Sequence, residues 1–313
     1  MRTWQQLKSK RLVRVLFGPV FRKSLGLSAV GLISLHSVQT LFLNHYKDYL
    51  SHRGSGQSTP LPPHVQDAIG QVFKDLMRTK RLTEADLQKI DMIISREVSE
   101  PFHKGNLHAL NGAFIGLPMS FSEVNKDSDI NKNQSTGANN DSHNLTDIQH
   151  IKSGRKALHR HIPWTNSAIR YAIMRECLLV DSHDLQIRTT LQGVFLCLYS
   201  MVVQWNMTRF HQIFVFVVYS VVWSAVFGTA LLQQWNYYKI QQERSVEEEI
   251  ASLGRDYITG GLEYYNCVVQ RNIMSNDGQY DKNGNPRQRF FRRYFIPLTN
   301  KIEFFENKLR DFK

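Results

Sequence analysis

Apolar residues in this chain change their spacing along its length, and the change divides it. Between Thr189 and Trp235 polar positions nearly vanish. "TTLQGVFLCLYSMVVQW" and "QIFVFVVYSVVWSAVFGTALLQQW" are two apolar runs, spanning 189–206 and 212–235 and separated by "NMTRFH". Neither run carries a charged residue. At about 1.5 Å per residue each approaches the roughly 30 Å hydrocarbon thickness of a bilayer, the first only barely. Trp205 closes the first run, and Trp235, Tyr237 and Tyr238 close the second, where amphipathic rings favour headgroup depth. The short connection predicts an antiparallel transmembrane hairpin over 189–235. A third apolar stretch, residues 25–43, is long enough to cross but is diluted by His36, Gln39, Thr40 and serines.

Elsewhere the periodicity is that of a folded body. In "PLPPHVQDAIGQVFKDLM" the apolar Val65, Ile69, Val72, Phe73 and Leu76 recur at helical spacing after a proline turn. "NGAFIGLPMSF" predicts a short buried strand or hairpin. Residues 122–154 are polar and Asn-rich, too poor in apolar surface to order themselves. They read as a flexible insertion within a body spanning 44–188. After the hairpin, "QQERSVEEEIASLGRDYITGGLEYYNCVVQRNIM" predicts a helix that breaks or bends at Gly260-Gly261, and residues 236–313 pack back on 44–188. The expected fold class is an α+β membrane protein: a transmembrane helical hairpin carrying a mixed, mainly helical body on the matrix side.

Charge assigns the side and the address. The formal net charge over 313 residues is +12, which calls for an anionic neighbour. No zinc-finger spacing or RNP-like aromatic motif is present, so a membrane surface is favoured over nucleic acid. Arg2, Lys8, Lys10, Arg11, Arg14, Arg22 and Lys23 all precede Asp48, the first acidic residue. Residues 1–24 therefore read as a basic mitochondrial targeting segment. Arg170, Arg175 and Arg188 precede the hairpin and Lys239 and Arg244 follow it, while Arg209 stands alone in the connection. That asymmetry places both flanks in the matrix. Cys177, Cys197 and Cys267 are odd in number and far apart, which argues against a disulfide framework; they read as small buried apolar residues.

"IMRECLLVDS" has the shape of a zinc-protease helix. In H-E-x-x-H two imidazoles share one helix face and the Glu acts as base. Here Arg175-Glu176-Cys177-Leu178-Leu179 keeps the Glu alone. A membrane hairpin and then an acidic helix follow, as in the M48 membrane zinc proteases, with Glu247, Glu248 or Glu249 standing where a third ligand would be. A decayed M48-like layout fits this order, but arginine and leucine cannot bind zinc. His159 and His161 are expected at the surface, and Glu176 is expected to pair with an arginine such as Arg170 or Arg175. No Walker loop, G-x-S-x-G or G-x-G-x-x-G is present; Gly260-Gly261 reads as a helix break or a close packing contact.

Small residues on the hairpin are the candidates for gripping another membrane helix: Gly193, Ser200, Ser220, Ser224, Ala225 and Gly228. Arg289, Arg292, Arg293 and Tyr294 form an aromatic-basic stretch suited to a headgroup surface. Taken together, "PLPPHVQDAIGQVFKDL", "NGAFIGLPMSF", "IMRECLLVDS", the apolar hairpin, "ASLGRDYITGGLEYYN" and "DGQYDKNGNPRQRFFRRYFIPLT" resemble, in order and spacing, the transmembrane protein 177 family. The resemblance covers most of residues 60–300. It implies a non-enzymatic role in the mitochondrial inner membrane, supporting early maturation of cytochrome c oxidase subunit 2 with its dedicated membrane chaperone. It carries no catalytic, metal or cofactor residue. Two other readings stand beside it: a divergent M48-like membrane metalloprotease, and a peripheral scaffold for RNA or the mitoribosome.

Overall fold

A computed structural model describes residues 42–52, 60–95, 98–109, 111–122, 164–209, 213–275, 278–287 and 296–312, together with positions 26, 30, 31 and 34. The elements run α1 (Leu43–His52), α2 (Pro63–Arg78), α3 (Glu84–Leu87), β1 (Ile90–Ser95), β2 (Phe102–Gly105), β3 (Ala113–Pro118), α4 (Asn166–Val180), α5 (Asp184–Arg209), α6 (Ile213–Ser252), α7 (Arg255–Ser275) and α8 (Leu298–Asp311). The fold is mixed α and β, and mostly helical.

The body is organised around α4. Thr165 caps its first turn, accepting from the Ala168 amide at 3.2 Å. Beyond the cap the helix is buried on nearly every face, with Ile169, Tyr171, Ile173, Met174, Cys177 and Leu178 joined inside by the carboxylate of Glu176. A helix with so little outward face has to be surrounded, and α2, α6, α7, β2 and β3 surround it. The helix α2 starts at Pro63, directly after an extended Pro62, the position where a missing N–H costs nothing. As its periodicity predicts, it turns Val65, Val72 and Leu76 inward, with Ile69 and Phe73 partly buried against the same core.

"NGAFIGLPMSF" becomes the central strand of a three-stranded sheet of order β1-β3-β2. The strand β3 pairs parallel to β1 (Ile90 with Ala113) and antiparallel to β2 (Phe102 with Gly116). All six of its residues are buried, which suits a strand covered on both faces. Gly116 is required there, because a Cβ would lie 2.1 Å from the Phe102 ring.

Two expectations about the helices are corrected. The acidic segment after the second apolar run does not open a new helix: α6 continues without interruption for 40 residues. The break comes at Gly254, whose φ of +133° a residue with a Cβ rarely adopts. Nor does α7 break at Gly260-Gly261. It continues through them as one helix, and as the reading of a close packing contact expects, their missing side chains let α4 and α8 approach: a Cβ on Gly260 would meet the Ser167 carbonyl at 2.4 Å, and one on Gly261 the Phe305 ring at 2.8 Å.

The two apolar runs do form an antiparallel pair. The foot is held by Lys239 Nζ donating to Asp184 Oδ2 at 2.6 Å. Higher up, Phe195 packs edge-on to Phe227, and the Tyr199 and Ser224 hydroxyls lie 2.8 Å apart. Among the described residues α6 alone is long and apolar enough to cross a membrane. The first run, which reaches the hydrocarbon thickness only barely, does not meet that measure: Thr189, Thr190, Gln192, Gln204 and Asn206 dilute α5. The targeting segment, the greater part of residues 25–41, the insertion at 123–154, the aromatic-basic stretch at 288–295, His159 and His161 lie outside the described residues.

Candidate functional site

Where the protease layout would place its metal, the body holds a buried ionic cluster. Glu176 on α4 is 2% exposed. Arg175 Nη1 donates to its Oε1 at 2.6 Å, and His103 Nδ1, arriving from β2, lies 2.7 Å from its Oε2. Burial pulls the Glu176 carboxyl upward, but the Arg175 charge and the His103 hydrogen bond outweigh it and hold its pKa below the ordinary value. The pairing with Arg175 is one of the two that the sequence suggested; Arg170 instead points to Asp75, with Nη2 3.5 Å from its Oδ2.

A second half of the cluster lies between α6 and α8. Glu247, the foremost of the three candidate third ligands, is 4% exposed. It accepts from the Tyr265 hydroxyl at 2.6 Å and pairs with Lys301 Nζ at 2.8 Å. The same ammonium reaches Glu243, one turn back on α6, at 2.9 Å. Tyr171 OH donates to Tyr265 OH at 3.1 Å, linking α4 to the group. Burial lowers the Lys301 pKa and raises that of Glu243, yet in each case the opposite charges win: Lys301 is shifted up and Glu243 down. Glu249 faces outward to Arg81 at 3.0 Å, and Glu248 is exposed.

The metal-binding geometry of the protease layout is therefore not assembled. Glu176 and Glu247 are each engaged by cations and hydroxyls, and among the described residues no three His, Cys, Asp or Glu side chains are grouped to hold an ion. What the arrangement does chemically is brace. Charge-assisted hydrogen bonds tie β2 to α4, and α6 to α7 and α8, while the neutral Tyr171–Tyr265 hydroxyl bond joins the two groups; a buried ion pair that loses one member strands the other in a low dielectric.

Sequence reasoning located Glu176, Arg175 and Glu247 but missed His103, Glu243, Tyr265 and Lys301. Two signals were present. Glu243 and Glu247 are one turn apart on a single face. Lys301 interrupts the apolar stripe of Leu298 and Phe305 on α8, and a lysine on an inward face requires a buried anion.

The hairpin presents a different surface. Of its six small residues, Ser224 lies in the seam between the helices, its hydroxyl also donating to the Ser220 carbonyl at 2.7 Å. Ser200 Oγ turns back on its own helix to the Cys197 carbonyl at 2.9 Å. Ala225 and Gly228 are exposed, and a Cβ built on Gly193 or Gly228 meets nothing within 4 Å. The glycines are thus unused by packing inside the hairpin. Around them Phe214, Val217, Val221, Val222, Val226 and Leu232 are exposed as well. Cys177 is buried as expected, but Cys197 is exposed on α5, which corrects its reading as a buried residue, and Cys267 is half-buried. Arg289, Arg292, Arg293 and Tyr294 fall outside the described residues.

No protein-family model, curated protein or solved structure matches the chain.

Proposed function

We propose that this chain is a non-enzymatic assembly or stabilising factor of the mitochondrial inner membrane. It holds newly made membrane proteins by their helices, cytochrome c oxidase subunit 2 and its membrane chaperone being the partners that the family resemblance implies. The observation that carries the proposal is the divided character of α6. Its first half exposes Phe214 at 76% and Val221 at 63%, while its last turns bury Val246, Glu247 and Ile250 in the body. Forty residues at about 1.5 Å each extend about 60 Å, twice the hydrocarbon thickness. Half of the helix suits lipid and half suits protein.

The α5–α6 pair is read as a membrane hairpin, making the protein multi-pass. Between helices in lipid, apolar contact adds little net drive, so association relies on close approach at small residues and on hydrogen bonds. Exposed Ala225 and Gly228, unobstructed on α6, supply the first. Arg188, Lys239 and Arg244 at the foot against Arg209 at the connection are the reason for placing the body and the carboxyl terminus in the matrix.

Crosslinking in intact mitochondria followed by identification of neighbours tests the partner. Newly synthesised cytochrome c oxidase subunit 2 is expected in the crosslinked material, and less of it with Gly228→Leu. Its absence, or stoichiometric zinc together with peptide cleavage by the purified protein, would overturn the proposal.

A further inference from the structure

We infer that the foot of the hairpin holds the headgroup of one anionic phospholipid, its phosphodiester on Arg188 and Lys239 beside Trp235 and its acyl chains along α6. The inference rests on the reading of α6 as a membrane helix and adds a ligand at the level where that helix leaves lipid.

Charge converges there from two elements. Arg188 on α5 stands over the Trp235 ring of α6, its Cζ 5.4 Å from the ring centroid, and Lys239 Nζ lies 5.3 Å from the same centroid. Two cations thus meet at one half-buried indole, which Tyr238 flanks at 5.7 Å. Attraction to the ring holds each cation in place without neutralising it. Lys239 donates to Asp184 Oδ2 at 2.6 Å and to Gln242 Oε1 at 3.0 Å. One carboxylate stands against two cations, so a positive charge remains. Glu243, the first acid on α6, does not offset it, being engaged by the buried Lys301 at 2.9 Å. A guanidinium carries five N–H donors in a planar fork. Arg188 can therefore keep a contact within the protein and still present a pair of donors to phosphate oxygens, the geometry that favours arginine for such groups.

Depth is the second support. Indole and phenol rings favour the boundary between hydrocarbon and water, and basic pockets between membrane helices at that level recognise anionic headgroups. No Asp, Glu, Lys or Arg lies between Arg188 and Arg209 on α5, and none precedes Lys239 on α6. The charge at Trp235 therefore has an apolar hairpin on one side and the body on the other.

The third is room for the chains. At about 100° per residue, Leu232 and Val221 fall within about 20° of Lys239 around α6, and both are exposed, at 57% and 63%. An acyl chain below a phosphate at Lys239 has apolar side chains to lie against over about 27 Å, more than one leaflet of the hydrocarbon. A free phosphate ion gains nothing from that stripe, which is why the site is assigned to a lipid.

The test reconstitutes the full chain in phosphatidylcholine vesicles carrying an equal minor fraction of either brominated phosphatidylglycerol or brominated phosphatidylcholine. Bromine quenches indole on contact, and the emission of Trp235 is the difference between the native chain and Trp235→Phe. The phosphatidylglycerol should quench Trp235 about fivefold more effectively, the preference that one positive charge beside an anionic lipid supplies. Total emission of the native chain should show the same order before any subtraction. Equal quenching by the two lipids overturns the inference. Arg188→Gln should bring the ratio close to one, and an unchanged ratio overturns it too. Arg244 is exposed and nine residues from Trp235, on the opposite side of α6, so Arg244→Gln should leave the ratio as it is. A fall as large as that from Arg188→Gln would mean a diffuse effect of charge and no site. Exchanging chloride for inorganic phosphate at constant ionic strength should change nothing; collapse of the ratio would make this a site for free anions and overturn the lipid. Absence of quenching by either lipid sinks the placement of α6 in the membrane and the site with it, whereas equal quenching sinks only the headgroup site.

Discussion

The two ends of α6 meet opposite demands with the same backbone. From Glu243 to Ile250 the helix sets charge beside the buried Val246 and Ile250: Glu243 and Glu247 meet Lys301, and Tyr265 closes the gap between α7 and α6. From Phe214 to Leu232 the described residues offer valines, small residues and few polar contacts, with most side chains exposed. A buried carboxylate is fixed by partners that match it in number and geometry, so the body end is specific and rigid. An apolar helix surface is indifferent to which apolar neighbour it meets, so the other end is left available. The body is built to hold itself, and the hairpin has surface to give to something else.

The sharpest way to break this contrast is to remove the cation at the body end. Lys301→Met strands Glu243 and Glu247 and should cost about 3–5 kcal/mol, the range for breaking a buried pair from one side. Unfolding of the full chain in detergent, followed by the near-ultraviolet signal of its tyrosines, measures this. A change under about 1 kcal/mol would mean that the cluster is solvated. Replacing the whole group with apolar residues of equal volume should cost much less.

Glycines separate the two regions next. Gly260→Ala drives a Cβ against the Ser167 carbonyl, which is backbone and cannot swing away; overpacking of this kind costs roughly 1–3 kcal/mol. Gly228→Ala meets open space and should leave body stability unchanged. Equal effects at the two positions would remove the distinction.

Acid reads the body without mutation. The folded-state pKa of Glu176 and of Glu243 lies below the ordinary carboxylate value, so below neutrality the unfolded chain takes up their protons first. Their contribution is complete above the ordinary carboxylate range and is lost as pH falls through the depressed folded values. Lys301 is shifted the other way; its contribution persists up to the ordinary lysine range and fades only as pH climbs through its raised value. Stability should therefore drop on acidification and again in strong alkali, with Lys301→Met flattening the alkaline limb. The smallest effect belongs to the seam: Tyr199→Phe removes one hydroxyl contact with Ser224 and should cost about 0.6 kcal/mol, the average for such bonds between membrane helices.

How legible this was from residues alone differed along the same line. The inward face of α2, the buried strand at Ala113–Pro118 and the antiparallel apolar pair follow from local periodicity, and they are present. The continuity of α6 past Trp235 was not legible, because the change from apolar to acidic composition looks like a boundary although both halves favour helix. Gly260-Gly261 read equally as a breaker or as a close packing contact. Only the proximity of α4, a contact between elements nearly a hundred residues apart, decides for packing. The ionic cluster was half visible: Glu176 drew attention through a protease comparison, but its partner His103 comes from a strand that no helix periodicity could bring to it. For the small residues of the hairpin, sequence supplied the inventory and the structure separated Ser224, in the seam, from Gly193 and Gly228, with open space around them.

The central claim is that one uninterrupted helix passes from lipid into protein, with its boundary near Trp235. A spin label moved residue by residue along α6 in reconstituted bilayers tests it directly, by comparing collisions with oxygen, which favours lipid, and with a water-soluble nickel chelate. The account predicts oxygen-dominated exposure from Phe214 to Leu232, a crossover within a turn of Trp235, and protection from both reagents at Val246 and Ile250. Chelate-dominated exposure across Phe214–Leu232 would contradict it.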